Sequence, residues 1–472
     1  MAKMDTVIKG GLLVRRDGTR RQDIAIKGGK VVAVGEPGTV PDGEEVIDAR
    51  NLHVIPGVID PHVHLQLFRN PFDVNVSTET RSCAAGGVTT IIPMLLHRED
   101  ATRSYRDYTP WAIDVVKKNA MIDVAFSAVL GTEAQIADIP FLVREYGMCS
   151  FKYYMAYTED EARVFGIIAV DDGLLYEGFR QVRDMIAEGY PCLAMVHAEN
   201  MEIIHREKRR LIAEGRNDLK AWTDARPEFC EEECLRRAFF FIEQLRSRLY
   251  VVHLTVGQGV NLVREMHRRG VDIIAETCPH YLTFTKHDHN KIGFLGKVNP
   301  PLRDKRDQEQ LWKGLQDGTL NNLGSDHSTV VPRQEKEANG IWDAIPGFPM
   351  SGCMLPVMLH VGVHSSRLTL ERLVELTSYN VARAYGLLPR KGDIAPGYDA
   401  DIVLVDLEKV RHVTPDVWHS AADWSLYDGW DIKGWPVRTM VRGVTVAKDG
   451  EVVGSPKHGQ YIPRDIPRRP AA

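Results

Sequence analysis

The stretch that decides the fold class is residues 193–255. An apolar run, LAMVHA (193–198), precedes the charged, amphipathic stretch EEECLRRAFFFIEQL (231–245), and a second apolar run, LYVVHLT (249–255), follows it. Short apolar runs without strict polar alternation are typical of strands buried on both faces, and the charged stretch is typical of a covering helix. This segment therefore predicts two parallel strands joined by a helix.

The same rhythm extends in both directions along the chain. Six more apolar runs lie at 58–65, 88–95, 122–129, 149–156, 271–276 and 321–326. Eight strand–helix units predict an α/β fold, a (β/α)8 TIM-type barrel over residues 56–386, with its active site at the C-terminal ends of the strands. A doubly wound open sheet is the alternative.

The two ends of the chain have a different texture, in which apolar and polar residues partly alternate. These segments lie at 6–13, 23–26, 30–34, 400–406, 439–447 and 451–453. Gly28-Gly29 and Asp449-Gly450 stand between neighbouring runs and are two-residue hairpin signals. We expect both ends to form one small β-sandwich domain.

The predicted organisation follows from these patterns. The small β-domain takes residues 1–55 and 387–454, and the catalytic barrel takes residues 56–386 between them. A C-terminal tail rich in proline and arginine covers residues 455–472.

Composition narrows the class of partner. The 472 residues carry a net charge of −5 with no basic block, which argues against nucleic acid. No apolar run approaches the ~18 residues of a membrane span, and the N-terminus lacks the features of a signal peptide. Seven scattered cysteines, an odd number, indicate reduced thiols. We therefore expect a cytoplasmic protein that acts on a small molecule, with no nucleic-acid or membrane partner.

The first chemical motif is Asp60-Pro61-His62-Val63-His64, at the end of the first predicted strand. Residues two apart in a strand point to the same side, so His62 and His64 can face one metal ion. Imidazole suits zinc and similar divalent metals. A structural role for such a pair is an equally good interpretation at this point.

The second motif is SFKYYMAY (150–157), which places Lys152 inside an apolar strand. A buried ammonium is costly, and burial favours the neutral amine. A neutral amine can react with carbon dioxide to give a carbamate, an anion able to bridge two cations. The alternatives are a lysine that reaches solvent or a buried ion pair.

Three further residues stand at or near the ends of predicted strands: His197, His253 and Asp326. Each alone could be a packed core residue or, for Asp326, a helix N-cap. In a barrel, however, all six candidates fall on one rim. They could then hold two divalent cations with a position left open for water. His280 and His327 lie near this rim and are candidates for outer contacts to it.

Taken together, these motifs resemble the amidohydrolase superfamily and, within it, the cyclic amidohydrolases: hydantoinases, dihydropyrimidinases, allantoinases and dihydroorotases. PGVIDPHVH (56–64), FKYYMAY (151–157) and VHAEN (196–200) look most like hydantoinase and dihydropyrimidinase. PGYDAD (396–401) is similar to the superfamily's return into its small β-domain. The resemblance covers nearly the whole chain.

The resemblance implies a binuclear metal centre, usually zinc, bridged by an N6-carboxylated Lys152 and a hydroxide. The residues it assigns to one metal are His62, His64, Lys152 and Asp326. Those it assigns to the other are Lys152, His197 and His253. It makes Asp326 the proton carrier and Tyr157 the donor to the developing oxyanion. It also implies hydrolysis of a cyclic amide or imide C–N bond, with opening of a hydantoin or dihydropyrimidine ring, by a homotetramer.

Other motifs depart from the hydantoinase pattern. VNPPLR (298–303) looks more like dihydroorotase, while TCPHY (277–281) and SDHS (325–328) look more like allantoinase. Gln66 replaces the arginine that dihydroorotases place after the second histidine, which counts against that activity. Allantoinase, or another cyclic-amide hydrolase, is therefore the main alternative, followed by a non-enzymatic hydantoinase-like adaptor.

Substrate contacts follow from the resemblance and from loop position. Tyr157, Asn299 and Asp343 are expected to contact the substrate, Asp343 because it stands near a substrate-binding asparagine of hydantoinases. Three phenylalanines in predicted rim loops could accept a bulky ring substituent: Phe68, Phe72 and Phe165.

Overall fold

A computed structural model describes residues 3–66, 70–97, 100–328, 331–338 and 340–464. Its strands are β1 (Met4–Arg15), β2 (Gly18–Lys27), β3 (Lys30–Gly35), β4 (Gly43–Asp48), β5 (His53–Pro56), β6 (Val58–His64), β7 (Val88–Leu95), β8 (Asp123–Val124), β9 (Ser127–Val129), β10 (Ser150–Tyr154), β11 (Leu193–His197), β12 (Arg248–Val251), β13 (Asp272–Thr277), β14 (Asn322–Leu323), β15 (His327–Ser328), β16 (Ile402–His412), β17 (Asp431–Val441), β18 (Val444–Lys448) and β19 (Glu451–Val452).

The α-helices lie mainly between the strands of the central part. They are α1 (Phe72–Ala85), α2 (Tyr105–Asn119), α3 (Glu133–Ala137), α4 (Ile139–Tyr146), α5 (Glu159–Phe165), α6 (Asp172–Ala187), α7 (Met201–Ala213), α8 (Leu219–Asp224), α9 (Glu228–Leu245), α10 (Gly257–Arg268), α11 (Pro279–Thr283), α12 (His289–Ile292), α13 (Lys305–Asp317), α14 (Arg333–Ala338), α15 (Gly340–Asp343), α16 (Met354–Met358), α17 (Leu370–Val374) and α18 (Asn380–Ala384). Short 3-10 helices lie at Lys286–Asp288, Gly293–Gly296, Ser351–Cys353 and Pro415–Trp418, and π-helical turns at Leu359–His364 and Glu375–Tyr379.

The central strands form one parallel sheet in the order β6, β7, β9, β10, β11, β12, β13 and β14, and β15 pairs with β6. β14 and β15 are two parts of one chain segment, separated by Gly324, Ser325 and Asp326. The sheet therefore closes on itself through an interrupted eighth strand. The predicted TIM-type barrel is confirmed, in place of an open doubly wound sheet.

Two predicted strands end earlier than their apolar runs because of backbone conformation. The strand predicted to reach Thr255 stops at Val251, and His253 follows with φ of +35°. The strand predicted to reach Asp326 stops at Leu323, and Asp326 has φ of +52°. A left-handed residue cannot continue a strand. A third run, 122–129, is divided into β8 and β9.

The chain ends form a second sheet, ordered β19-β18-β17-β16-β5-β1-β2-β3, with β4 beside β1. The N-terminal and C-terminal strands meet where β5 pairs with β16. Both predicted hairpin dipeptides have positive φ at each residue, +58° and +76° at Gly28-Gly29 and +54° and +93° at Asp449-Gly450. That is the conformation a tight two-residue hairpin needs. The small β-domain built from both ends is confirmed.

A buried ion network joins the two parts. The Lys391 ammonium lies 2.5 Å from Asp123 of β8, 2.6 Å from Asp401 and 3.1 Å from Asp399. After the last strand of the β-domain, the C-terminal segment returns to the barrel, where Arg464 donates to the Phe126 carbonyl at 2.7 Å. Among the described residues, no helix is long and apolar enough to cross a membrane.

Candidate metal centre and pocket

Three donor atoms converge where β6 meets the interrupted strand. His62 and His64 point to one side of β6, and their Nε2 atoms are 3.2 Å apart. Asp326 Oδ1 lies 3.2 Å from each of these nitrogens. Ligands bound at 2.0–2.1 Å in a tetrahedral zinc site lie about 3.3 Å from one another. The three donors are therefore spaced as ligands of one cation.

The protonation of these groups suits a metal site. Burial lowers the pKa of His64 to about 4, so its imidazole is neutral at pH 7. Burial also acts to raise the pKa of Asp326, but the neighbouring His62 and His64 outweigh this and lower it. The neutral imidazole of His64 and the ionised carboxylate of Asp326 are the forms that bind metal ions.

A second histidine pair stands on the next part of the rim. His197 ends β11 and His253 follows β12, and His197 Nδ1 lies 3.0 Å from His253 Nε2. Burial lowers the pKa of both side chains. The left-handed backbone of His253 turns its ring towards the rings of His62 and His197, at 5.2 and 4.5 Å between centroids.

Lys152 occupies the middle of β10 with no exposed surface. Its Nζ is buried without a hydrogen-bond partner among the described residues. Burial lowers the Lys152 pKa to about 7, although the carboxylates of Asp326 and Glu276 act in the opposite direction. About half of the Lys152 population is therefore the uncharged amine at pH 7. The side chain neither reaches solvent nor forms an ion pair among the described residues, so the two sequence-based alternatives do not describe it.

Two carboxylates that the sequence analysis did not single out orient the histidines. His62 Nδ1 donates to Glu276 Oε1 at 2.8 Å, which leaves Nε2 facing Asp326. His197 Nε2 donates to Glu199 Oε2 at 2.7 Å, which leaves Nδ1 facing His253. Such partners fix the ring orientation and tautomer of metal-binding histidines. Both glutamates stand near strand ends, as the histidines do, and this position in the sequence is the signal that could have identified them.

The histidine pairs open into a small cleft. Tyr157 lines it and packs on His197 and Phe165, with ring centroids 5.1 and 4.9 Å apart. Asn299 and Ser328 also line it, and the Asn299 Oδ1 and Nδ2 and the Ser328 Oγ are buried without hydrogen-bond partners in the described structure. The cleft thus presents one aromatic wall and one polar wall.

Several predicted contacts lie elsewhere. Asp343 is exposed at the end of α15 and is absent from the lining of the cleft. Gly347 lines it instead, with φ of +100°, and a Cβ there would lie 2.2 Å from Ser328 Oγ. This wall position therefore has room only for glycine. Phe72 packs against Trp111 and does not line the cleft, and Phe68 lies outside the described residues.

The other polar residues named in the sequence analysis, Gln66, His280 and His327, do not line the cleft. Gln66 is buried and its Oε1 accepts from the Leu96 amide at 2.6 Å. His327 Nε2 lies 3.3 Å from Glu79 in α1, on the outer side of the centre. Both ring nitrogens of His280 are buried without hydrogen-bond partners, and burial lowers its pKa to about 3.

Comparison with known proteins agrees with this geometry. The amidohydrolase family model matches residues 252–446. A D-hydantoinase from Geobacillus stearothermophilus is 34% identical over 98% of this chain and 97% of its own length. The chain belongs to the amidohydrolase family. The resemblance read from the sequence motifs is thereby confirmed.

The relatives of this amidohydrolase include both hydantoinases and allantoinases. An allantoinase from Rubrobacter xylanophilus is 35% identical over 98% of both chains. A solved D-hydantoinase structure superposes with a TM-score of 0.90 at 32% identity, covering 98% of this chain and 99% of the other. An L-hydantoinase (dihydropyrimidinase) structure from Arthrobacter aurescens gives 0.89 at 33% identity, over 97% and 99%. Overall similarity therefore does not separate the hydantoinase branch from the allantoinase branch.

Proposed function

We propose that this amidohydrolase opens the ring of a cyclic amide or imide, of the hydantoin or dihydropyrimidine type, by hydrolysing a C–N bond at a pair of divalent cations. The observation that carries the proposal is a cluster of donor groups at one end of the barrel. It contains two histidine pairs, whose facing nitrogens are 3.2 Å apart in one pair and 3.0 Å apart in the other. Asp326 and the unpartnered amine of Lys152 complete the cluster. This donor set suits zinc, since imidazole and carboxylate are its common ligands.

The residues present fit a binuclear centre. Those that would hold one cation are His62, His64, Lys152 and Asp326. Those that would hold the other are Lys152, His197 and His253. The Lys152 Nζ has no hydrogen-bond partner among the described residues and its pKa is lowered to about 7, so much of it is the neutral amine that can react with carbon dioxide. An N6-carboxylate formed there would release one proton and would supply carboxylate oxygens as ligands to the cations.

The protein's own groups then divide the reaction between them. Bound cations supply polarisation of the substrate carbonyl and acidification of a water molecule. Asp326, ionised and open to the cleft, accepts the proton of the attacking water and passes it to the departing ring nitrogen. Tyr157 faces the same cleft with its pKa raised by burial, so it stays protonated and donates to the developing oxyanion.

Substrate recognition is assigned to the two walls of the cleft. The Asn299 carboxamide has both a donor and an acceptor available for a cyclic amide, which has the complementary pair. Phe165 offers an apolar surface to a ring substituent. Asp343 has no place in this proposal because it is exposed outside the cleft.

Allantoin hydrolysis is the second candidate, and a specific observation favours it. The unpartnered Ser328 Oγ stands with Asn299 on the polar wall, where a ureido substituent would find hydrogen-bond partners. An aryl substituent would instead prefer the wall formed by Tyr157 and Phe165. The two walls thus favour different substrates of the same reaction.

The test is ring opening by metal-loaded protein on hydantoin, a 5-aryl hydantoin, dihydrouracil, allantoin and dihydroorotate. Turnover of any of the first three supports the main proposal. Turnover of allantoin alone supports the second candidate. Absence of both turnover and bound metal would contradict both and would favour a non-enzymatic adaptor on this scaffold.

Three finer points belong to the proposal. Zinc as the native metal rests on the imidazole-rich donor set. A cytoplasmic location is supported by seven free cysteines, all of them buried. A homotetramer is proposed on the family resemblance alone, and light scattering of the purified protein tests it.

A further inference from the structure

The Arg226 guanidinium links the candidate metal centre to α5, the helix whose last residue lines the cleft. Arg226, 1% exposed, lies between α8 and α9. Its Nη1 donates to Glu199 at 3.2 Å, and its Nη2 donates to both carboxylate oxygens of Glu161 at 2.9 and 3.0 Å. The Trp222 ring lies under the guanidinium at 4.3 Å. The two carboxylates come from segments that also meet where Tyr157 packs on His197, with ring centroids 5.1 Å apart.

Each carboxylate leads to a different part of the site. Glu199 accepts from His197, one of the residues assigned to the second cation. Glu161 belongs to α5, and α5 ends at Phe165, which lines the cleft against Tyr157. The path from the covering helix to the metal-facing imidazole therefore runs through Glu161, Arg226 and Glu199.

We propose that Arg226 is a positioning residue that couples the seating of α5 over the cleft to the orientation of His197. A buried charge that loses one partner is left uncompensated, and the surrounding groups must rearrange. Loss of Glu161 would leave the guanidinium with Glu199 alone and would pull that carboxylate away from His197. By linkage, loss of Glu199 must disturb α5 to the same extent.

A second attachment of α5 provides the matched control. Thr158, just before the helix, is hydrogen-bonded to His205 of α7, with Oγ1 and Nε2 2.7 Å apart. Thr158→Val removes this bond at nearly constant shape without touching Arg226. Glu161→Gln keeps the shape of its side chain and removes the charge. Both variants therefore loosen the attachment of the same helix, but only Glu161→Gln acts on the path through Arg226 to Glu199.

The experiment combines two readouts on the full chain. The release rate of zinc to a chromophoric chelator is measured for wild type, Glu161→Gln and Thr158→Val. We expect Glu161→Gln to release the weaker zinc at least about five-fold faster, and Thr158→Val to match wild type. Equal release from the two variants would overturn the coupling.

The second readout is hydrogen exchange of the α5 amides in metal-free wild type and Glu199→Gln. Exchange faster by about five-fold or more in Glu199→Gln is expected, and unchanged exchange would overturn the proposal. Only the zinc readout rests on the proposed function. If wild type binds no zinc, the proposed function fails, while the exchange of α5 still decides whether Arg226 couples the two parts.

Discussion

At the scale of single residues, the site depends on backbone conformations that side chains rarely adopt. Tyr157, His253 and Asp326 have φ of +63°, +35° and +52°. Each follows or interrupts a barrel strand, and each turns its side chain into the cleft. Non-glycine residues in this region are costly and cluster at functional sites. The left-handed conformation is what aims these three groups at one point.

The proton-carrying role of Asp326 gives the first prediction. Asp326→Asn keeps the shape of the side chain but removes the basic oxygen, so kcat should fall by about 10²–10⁴-fold. Steady-state ring opening measures it, with circular dichroism to check the fold. Asp343→Asn is the matched control and should leave kcat and KM unchanged, because Asp343 is exposed outside the cleft. Comparable losses in the two variants would contradict the assignment.

At the scale of elements, we expect α5 to distinguish substrates. Its last residue, Phe165, forms the aromatic wall with Tyr157. Burial of a phenyl substituent against such a wall is worth about 1.5–3 kcal/mol. Dihydrouracil has no such substituent.

Phe165→Ala should therefore raise KM for a 5-phenyl hydantoin by about ten-fold or more, while KM for dihydrouracil changes little. Parallel assays of the two substrates measure the difference. Equal effects on both substrates would mean that Phe165 supports the fold of α5 and not recognition of the substituent.

The barrel strands were predictable because each is a short apolar run, and Val88–Leu95 matches its predicted bounds at both ends. The strand ends near His253 and Asp326 were not, because a left-handed residue leaves no mark in the hydrophobic pattern. The donors at the rim could be selected since each lies within or at the end of an apolar run. Glu199 and Glu276 share that position, but their roles, like that of Arg226, depend on which side chains face them in space.

Substrate contacts were the hardest to predict. Asp343 and Gly347 are only four positions apart, yet one is exposed and the other forms the wall of the cleft. The choice between them depends on loop geometry. A glycine also offers no side-chain chemistry that would attract attention in a sequence.

At the scale of the whole molecule, the ion network around Lys391 holds the β-domain to the barrel. Asp399 is 3% exposed and contacts this ammonium. Burial acts to raise the Asp399 pKa, but Lys391, together with Lys30 and Arg390, outweighs it and the pKa falls to about 2. A depressed folded-state pKa stabilises the protein above the unfolded value near 4, and this stabilisation is lost as pH falls through about 2.

Asp399→Asn should accordingly unfold more easily at pH 7, by roughly 2 kcal/mol, with a smaller difference from wild type near pH 2. Denaturant titrations at several pH values between 7 and 2 measure this. Asp42→Asn is the control, since the Asp42 side chain is 90% exposed in its pair with Lys9. A difference from wild type that stays constant with pH would contradict the role of Lys391.

The return of the chain to the barrel gives a further prediction. The Arg464 guanidinium is 1% exposed and donates to the Phe126 carbonyl and to Ser150 Oγ, at 2.7 and 2.6 Å. Arg464→Ala removes both of these hydrogen bonds from a charged donor, at about 1.5–3 kcal/mol for each. Thermal unfolding should therefore begin at a lower temperature, and an unchanged midpoint would show that the contact contributes nothing.

The most direct test of the central claim is the metal content of the purified, zinc-loaded protein, measured per chain by mass spectrometry of the elements beside a Lys152→Met variant. The account predicts about two zinc ions per wild-type chain and clearly fewer in the variant, because one amine-derived ligand serves both sites. No bound metal in wild type, or equal content in the two proteins, would contradict it.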